Sequence, residues 1–202
     1  MQLDNRILTK AESLFFKYGI KSISMDDLSR ELGISKKTLY QSVENKKELV
    51  IQVFQNLIQK EIDAVISIRK DADDAIDEMI EVARYVIPML RQISPTLIFD
   101  IQKYYRDVWL LCEEFNQQEV FTVIKENIER GIKEGIYREE FHSEIIAKLY
   151  VGKTNLVIDE DIFPLKEYNK ENLFKEHIQY HIRGIATSKG LKLLEKHFKK
   201  LS

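Results

Sequence analysis

Cationic and hydrogen-bonding side chains are concentrated between Ser35 and Lys47, in the sequence SKKTLYQSVENKK. This segment holds four lysines and one glutamate, whereas the whole chain of 202 residues has a net charge of −2. Lysine ammonium groups pair with phosphate oxygens, and hydroxyl and amide groups form hydrogen bonds with the edges of bases. Because Thr38, Tyr40 and Gln41 lie beside two of these lysines on the outer face of a predicted helix, the segment suits contact with duplex DNA.

Two short helices joined by a tight turn must position these groups. Ser24 begins the first helix, and Asp27 follows three residues later in a pattern close to a capping box. Gly33 ends that helix, Ser35 caps the second one, and a preceding helix over 4–18 completes a small three-helix domain. This spacing is typical of a helix-turn-helix. Spacing alone leaves an ordinary αα-corner with a solvated lysine face as an open alternative.

The rest of the chain predicts further helices and no strand. Seven glycines and three prolines are few for 202 residues, and sparse breakers favour long helices. Pro88 predicts a kink or an early helix end near Val86, and Asp100 is expected on the polar side of its helix. After the first three, the predicted helices span 46–68, 73–92, 94–115, 117–134, 143–158, 171–187 and about 190–200. The predicted fold class is therefore all-α, about ten helices, with an N-terminal three-helix domain over 1–46 and a larger helical domain over 47–202.

Several other classes of protein are disfavoured by what the sequence lacks. The one cysteine, Cys112, excludes an intramolecular disulfide and fits a reducing cytosol, where it is expected to be a buried structural thiol. A signal segment and a run of about 18 apolar residues are both missing, so a cytoplasmic location is expected. The sequence has no phosphate-cradling glycine loop, no HExxH and no nucleophile elbow, so we predict no enzyme activity and no cofactor.

One pair of histidines has a spacing that can chelate a metal. His177 and His181 are four residues apart on one predicted helix. His181 also falls in line with Phe174, Ile178 and Ile185, which is typical of a packing or dimer stripe. We therefore expect no metal site.

Three segments resemble the TetR family of transcriptional regulators: ILTKAESLFFKYGI (7–20), SMDDLSRELGIS (24–35) and KKTLYQSVENKKEL (36–49). The resemblance implies a homodimer that binds a double-stranded DNA operator through recognition helices in two successive major grooves. It also implies that the region 47–202 binds a small-molecule effector and dimerises. Ser42-Val43 departs from the His-Phe of many members, and Lys37 stands where a small residue or proline is frequent. Carried over by position, the implied phosphate contacts are Ser24, Ser35, Tyr40 and Lys46, and the implied groove-facing residues are Lys36, Lys37, Thr38 and Gln41.

Two further sets of residues are candidates in the larger domain. Large aromatic side chains over 73–134 suit a mixed apolar effector pocket, although ordinary core is the alternative for each of them. Dimerisation is expected to use 143–158 and 171–187 in a four-helix bundle with the symmetry mate. The candidates for the effector site are Tyr85, Phe99, Tyr105, Trp109, Cys112 and Phe121; those for the dimer interface are Ile145, Leu149, Tyr150, Phe174, Ile178, His181 and Ile185.

The function predicted from these features is that of a ligand-responsive repressor, released from its operator when a small molecule displaces the helix that starts at Lys46. A second hypothesis is a helical protein-interaction module whose basic face binds an acidic protein partner. That module would bind no specific duplex, and its binding would not depend on Tyr40 or Gln41. A third is a small all-α enzyme, which would need converging carboxylates or metal ligands that the sequence does not reveal.

Overall fold

The computed structural model describes residues 4–157, 159–164 and 166–199, and over these residues the all-α fold class is confirmed. Extended pairing within them is limited to an isolated bridge between Tyr137 and Ala186. None of the helices in these ranges is long and apolar enough to cross a membrane. The helices are α1 Asn5–Tyr18, α2 Met25–Leu32, α3 Lys36–Ser42, α4 Lys46–Asp71, α5 Ala75–Gln92, α6 Pro95–Tyr104, α7 Arg106–Phe115, α8 Phe121–Lys133, α9 Ser143–Val157, α10 Lys170–Ile185 and α11 Ser188–Phe198. Positions 158 and 200, which end two of the predicted helices, lie outside the described residues.

The boundaries of α5 to α8 differ from those expected. Helix α5 continues through Pro88 to Gln92, so the predicted end near Val86 is wrong. Proline inside a helix costs about 3 kcal/mol, but Ile87 and Leu90 are buried around it, and burying two such side chains contributes about 3–6 kcal/mol. The predicted single helix over 94–115 is divided at Tyr105, whose φ of −124° and ψ of 56° are not helical. A π-helical segment, Asn116–Val120, joins α7 to α8.

The chain divides into two compact units. Unit 1 comprises Met1–Glu61 and Gln92–Glu114, and unit 2 comprises Ile62–Arg91 and Phe115–Ser202. Helices α6 and α7 therefore pack in the same unit as α1, α2 and α3. The predicted boundary at 46/47 separates a DNA-binding region from an effector-binding and dimerisation region. The division into compact units does not test this boundary, so it stays a prediction. The fully or nearly buried apolar core of unit 1 includes Ala11, Phe15, Ile20, Leu28, Leu39, Leu49, Val50, Val53, Leu97, Ile101 and Val108.

Unit 2 contains a buried, ion-paired carboxylate. Glu78 is 1% exposed, and its two oxygens lie 3.1 Å from Arg69 Nε and 3.1 Å from Arg130 Nη1. Arg130 also donates to the Ala72 carbonyl oxygen at 2.9 Å. Pairing of this kind is what allows a carboxylate to be buried, since an unpaired one costs several kcal/mol. The network joins α4, α5 and α8 within this unit.

Candidate nucleic-acid interface

The N-terminus of α2 is closed by a reciprocal cap. The Asp27 backbone N–H donates to Ser24 Oγ at 3.1 Å, and the Ser24 backbone N–H donates to the Asp27 carboxylate at 3.0 Å. The Ser24 hydroxyl also donates to that carboxylate at 2.5 Å, and these hydrogen bonds lower the pKa of Asp27. The expected capping box is therefore present. Ser24 itself is exposed, so its oxygen lies at the surface at the start of the helix.

A left-handed glycine turns the chain from α2 into α3. Gly33 has φ 66° and ψ 29°, a conformation that residues with a Cβ rarely adopt. Ser35 then caps α3 by accepting the Thr38 backbone N–H at 3.0 Å, and the two hydroxyls lie 2.8 Å apart. Leu39 is fully buried and Val43 is 3% exposed, so the inner side of this short helix is fixed against α2 within the core of unit 1.

The outer side of α3 exposes a row of polar and cationic groups. Lys36, Lys37, Thr38 and Gln41 are exposed, and the Tyr40 side chain is 42% exposed. The ammonium of Lys36 lies 2.6 Å from the Asp26 carboxylate, and this hydrogen bond, with the accompanying charge, raises the pKa of Lys36. The four residues expected to face the groove are therefore all exposed on this helix. Of its two lysines, Lys36 is held by Asp26, whereas the ammonium of Lys37 is not held by an ion pair within the described ranges.

The start of α4 adds two lysines in different environments. Lys46 is half-buried and donates from Nζ to the Ile20 carbonyl oxygen at 2.5 Å, which uses one of its three N–H donors. Burial lowers the pKa of Lys46, against the opposing attraction of Asp100 and Asp27. Lys47 is exposed and lies 2.5 Å from the Asp107 carboxylate of α7. A phosphate contact from Lys46 stays a prediction, and such a contact would use the remaining donors.

Asp100 is a structural residue that sequence periodicity placed incorrectly. It was expected on the polar side of its helix, but it is 2% exposed and accepts the Lys21 backbone N–H at 2.7 Å. The Ser94 backbone N–H also donates to the Phe16 carbonyl oxygen at 3.1 Å. Gly19, with φ 81°, is required beside these contacts because a Cβ there would lie 2.6 Å from Thr96 Cγ2. Helix α6 is thus fastened along the end of α1 and the turn that leads into α2.

The candidate effector residues are distributed over both units. In unit 1, Tyr105, Trp109 and Cys112 are half-buried against the core, and Phe99 is 51% exposed. Burial, with a smaller contribution from the charge of Glu61, raises the pKa of the Cys112 thiol to about 12, so the thiolate that reacts with oxidants is suppressed. In unit 2, Tyr85 is 36% exposed and Phe121 is half-buried. An effector site built from these six residues stays a prediction.

The candidate dimer residues lie on α9 and α10 in unit 2 and fall into two groups. Ile145 and Leu149 are 55% and 53% exposed. The other group, each at most 8% exposed within the chain itself, comprises Tyr150, Phe174, Ile178, His181 and Ile185. Leu156 and Tyr180, at 43% and 67% exposed, are large side chains on the same helices that sequence reasoning did not select.

The two histidines of α10 are packed around an aromatic ring. The His177 and His181 rings lie with centroids 4.6 and 4.8 Å from that of Tyr150. Burial lowers their pKa values to about 4 and about 3, respectively, so both are neutral near pH 7. Within the part of the chain that the structure describes, no group of three or more His, Cys, Asp or Glu is placed to hold a metal ion.

Comparison with known proteins identifies relatives along most of the chain. Residues 7–53 match the model of bacterial regulatory proteins, tetR family. The chain is 26% identical over 169 residues to the uncharacterized HTH-type transcriptional regulator YvaF of Bacillus subtilis (strain 168), covering 81% of this chain and 85% of that one. It is 23% identical over 161 residues to the biofilm operon icaADBC HTH-type negative transcriptional regulator IcaR of Staphylococcus epidermidis, covering 80% and 76%. The fold superposes on the crystal structure of a transcriptional regulator from Cytophaga hutchinsonii with a TM-score of 0.72 at 18% identity, covering 90% and 97%.

Proposed function

Because the chain belongs to the TetR family of bacterial regulatory proteins, we propose that it is a homodimeric transcriptional repressor of the cytoplasm, which a small molecule releases from its DNA operator. The observation that carries this proposal is the pair α2 and α3, where a buried Leu39 fixes a helix whose opposite side exposes Lys37, Tyr40 and Gln41. Repression, rather than activation, is proposed because the relative IcaR is a negative regulator.

The proposed contacts divide into positioning and reading groups. Ser24, Ser35, Tyr40 and Lys46 bind phosphates, which fixes the register of α3 on the duplex. Lys36, Lys37, Thr38 and Gln41 face the major groove, where lysine suits the acceptors of guanine and glutamine suits adenine. In a dimer the two copies of α3 must lie about 34–36 Å apart to enter successive grooves.

A dimer interface along α9 is supported by the exposure of its apolar residues. Ile145, Leu149, Gly152 and Leu156 are all exposed, and their spacing of four, three and four residues places them on one stripe of the helix. The glycine lets a second helix approach closely, and isologous contact along such a stripe buries apolar surface that is otherwise left in water. The buried candidates, such as Ile178, would then support this stripe from within the protomer.

Release by an effector is proposed to act through α6 and α7. Asp100 of α6 holds the turn before Ser24, and Asp107 of α7 pairs with Lys47 at the start of α4. An effector that favours one position of these helices over another shifts DNA affinity by its differential free energy, typically about 1–3 kcal/mol. In unit 1 its contacts are proposed to come from Phe99, Tyr105, Trp109 and Cys112; in unit 2, Tyr85 and Phe121 stay separate candidates.

Gel-shift measurements with the DNA upstream of the gene test the DNA-binding part of this proposal. Tyr40→Phe and Lys46→Ala should each weaken binding to all sequences, whereas Gln41→Ala should relax preference at one base position. Gln55→Ala is the matched control, because Gln55 is an exposed glutamine of α4 outside the proposed contact set. Absence of a retarded complex at low salt, for a verified dimer, would overturn the proposal.

The hypothesis of an acidic protein partner for the same basic face is not favoured by the family assignment. It would be supported instead if Tyr40→Phe and Gln41→Ala left all DNA binding unchanged.

A further inference from the structure

Two lysines and two aromatic rings form an exposed cluster at the end of α6. Lys21 Nζ lies 3.7 Å from the ring centroid of Tyr104, and Lys103 Nζ lies 5.4 Å from the same centroid. Lys103 Nζ is also 4.9 Å from the ring centroid of Phe99. All four residues are exposed. We call Lys21, Phe99, Lys103 and Tyr104 the α6 basic surface.

The positive charge of this surface is not neutralised locally. Over the described residues, neither Lys21 nor Lys103 forms an ion pair with a carboxylate. Two acidic side chains of α6 and α7 have other partners: Asp100 is buried and accepts the Lys21 backbone N–H, and Asp107 pairs with Lys47. Two ammonium groups held over one ring, with no acidic partner, present a local charge that suits an anionic polymer.

The α6 basic surface is continuous with the proposed DNA-binding face. Lys21 lies three residues before Ser24, the cap of α2. Lys46 Nζ donates to the carbonyl oxygen of Ile20, the residue before Lys21, at 2.5 Å. The start of α4, the turn between α1 and α2 and the end of α6 therefore lie side by side within unit 1. Positive charge extends along this edge from Lys46 through Lys21 to Lys103.

We propose that Lys21 and Lys103 bind backbone phosphates of duplex DNA just outside the base pairs that α3 reads. The inference rests on the proposed function, and it extends the DNA contact to a helix beyond the helix-turn-helix. A lysine that binds a backbone phosphate reads no base, so these two contacts add affinity for any flanking sequence. Tyr104 is a positioning residue, because its ring restricts where both ammonium groups lie before DNA arrives.

The salt dependence of binding tests the phosphate contacts directly. The probe is a duplex whose site is selected from a randomised library, with flanks of about one helical turn, or about 10 bp, on each side. Each lost phosphate contact makes the slope of log Kobs against log salt shallower by about 0.9, and hence by about 1.8 in a homodimer. Lys103→Ala and Lys21→Ala should each show this change, and trimming the flanks should remove the difference from the unsubstituted protein.

Lys60→Ala is the matched control. It removes one positive charge, that of an exposed lysine of α4 whose ammonium pairs with Glu12 at 2.9 Å. This lysine lies about 21 Å along the helix from Lys46, at 1.5 Å per residue. Its slope should equal that of the unsubstituted protein. Tyr104→Leu should lower affinity on the flanked duplex, while Tyr104→Phe, which keeps the ring, should restore it.

The outcomes separate this inference from the proposed function. If the unsubstituted protein selects no duplex, the proposed function fails. If it binds but Lys103→Ala and Lys21→Ala have the same slope as Lys60→Ala, the inference fails while the proposed function stands. Binding of the protein to phosphatidylserine vesicles that is lost in both variants, with unchanged DNA slopes, would assign the surface to a membrane and likewise overturn the inference.

Discussion

Replacing Asp100 by alanine should loosen α6 from the turn that leads into α2. The carboxylate accepts the Lys21 backbone N–H at 2.7 Å and is 2% exposed. A hydrogen bond to a charged group is worth about 1.5–3 kcal/mol, and the unsatisfied N–H adds a penalty when water cannot reach it. Because Lys21 is exposed at the surface, water relieves part of that penalty. We expect Asp100→Ala to lower the free energy of unfolding of unit 1 by about 2 kcal/mol.

Urea unfolding followed by the fluorescence of Trp109 measures this loss. Trp109 is the only tryptophan in the sequence and packs against the core of unit 1, so its emission reports that unit. With an m-value of about 2 kcal/mol per M, a loss of about 2 kcal/mol lowers the unfolding midpoint by about 1 M.

Two further variants make the result specific. Asp100→Asn keeps an oxygen that can accept the Lys21 N–H and should lose less than about 1 kcal/mol. Asp107→Ala removes a carboxylate that is more than half exposed and paired with Lys47, so its effect should stay within about 0.5 kcal/mol. An unchanged midpoint for Asp100→Ala would refute the reasoning. Equal losses for Asp100→Asn and Asp100→Ala would show that the charge, rather than the hydrogen bond, holds the turn.

Two further predictions concern packing and pH. Gly131→Ala should destabilise unit 2 by about 1–3 kcal/mol in thermal unfolding, because the added Cβ would lie 2.1 Å from Tyr137 Cδ2. Gly184→Ala is the control and should not destabilise the unit, because no atom lies within 4 Å of its added Cβ. Burial, with a smaller contribution from the charge of Glu12, raises the pKa of Glu61 from 4.5 to about 7. Folding therefore favours the protonated carboxyl, and this contribution to stability is complete below pH 4.5 and is lost as pH rises to about 7. Glu61→Gln should flatten the fall in the Trp109 urea midpoint between about pH 5 and about pH 8, and an unchanged pH profile would count against a protonated Glu61.

Local sequence signals predicted the helix-turn-helix because each of its features depends on neighbouring residues. The cap at Ser24, the positive φ at Gly33 and the cap at Ser35 all involve contacts within three or four residues. The inward position of Leu39 follows from helical spacing in the same way. Such signals do not depend on tertiary contacts, so the helix-turn-helix could be recognised from the sequence.

Contacts between distant segments could not be predicted in this way. Asp100 accepts a hydrogen bond from Lys21, 79 positions away in the sequence. Helical periodicity assigned Asp100 to the polar side of its helix because the pattern depends only on residue type and contains no information about a distant partner. The helix that continues through Pro88 has the same cause, since Ile87 and Leu90 are buried beside the proline. At Pro88, tertiary packing outweighs a local preference of about 3 kcal/mol.

Helix α6 therefore carries two linked roles in the proposed mechanism. Asp100 fastens it to the turn before Ser24, and Tyr104 holds Lys21 from that turn beside Lys103. A displacement of α6 would move the flank-binding lysines and the cap of α2 together, so an effector acting on α6 would withdraw phosphate contacts while it alters the position of α3. Loosening the Asp100 contact should separate these effects. Asp100→Ala should still bind its site, but the effector should change its DNA affinity by a smaller factor than in the unsubstituted protein. An unchanged factor, measured by titrating effector into the preformed complex, would place the coupling in a different contact of the protein.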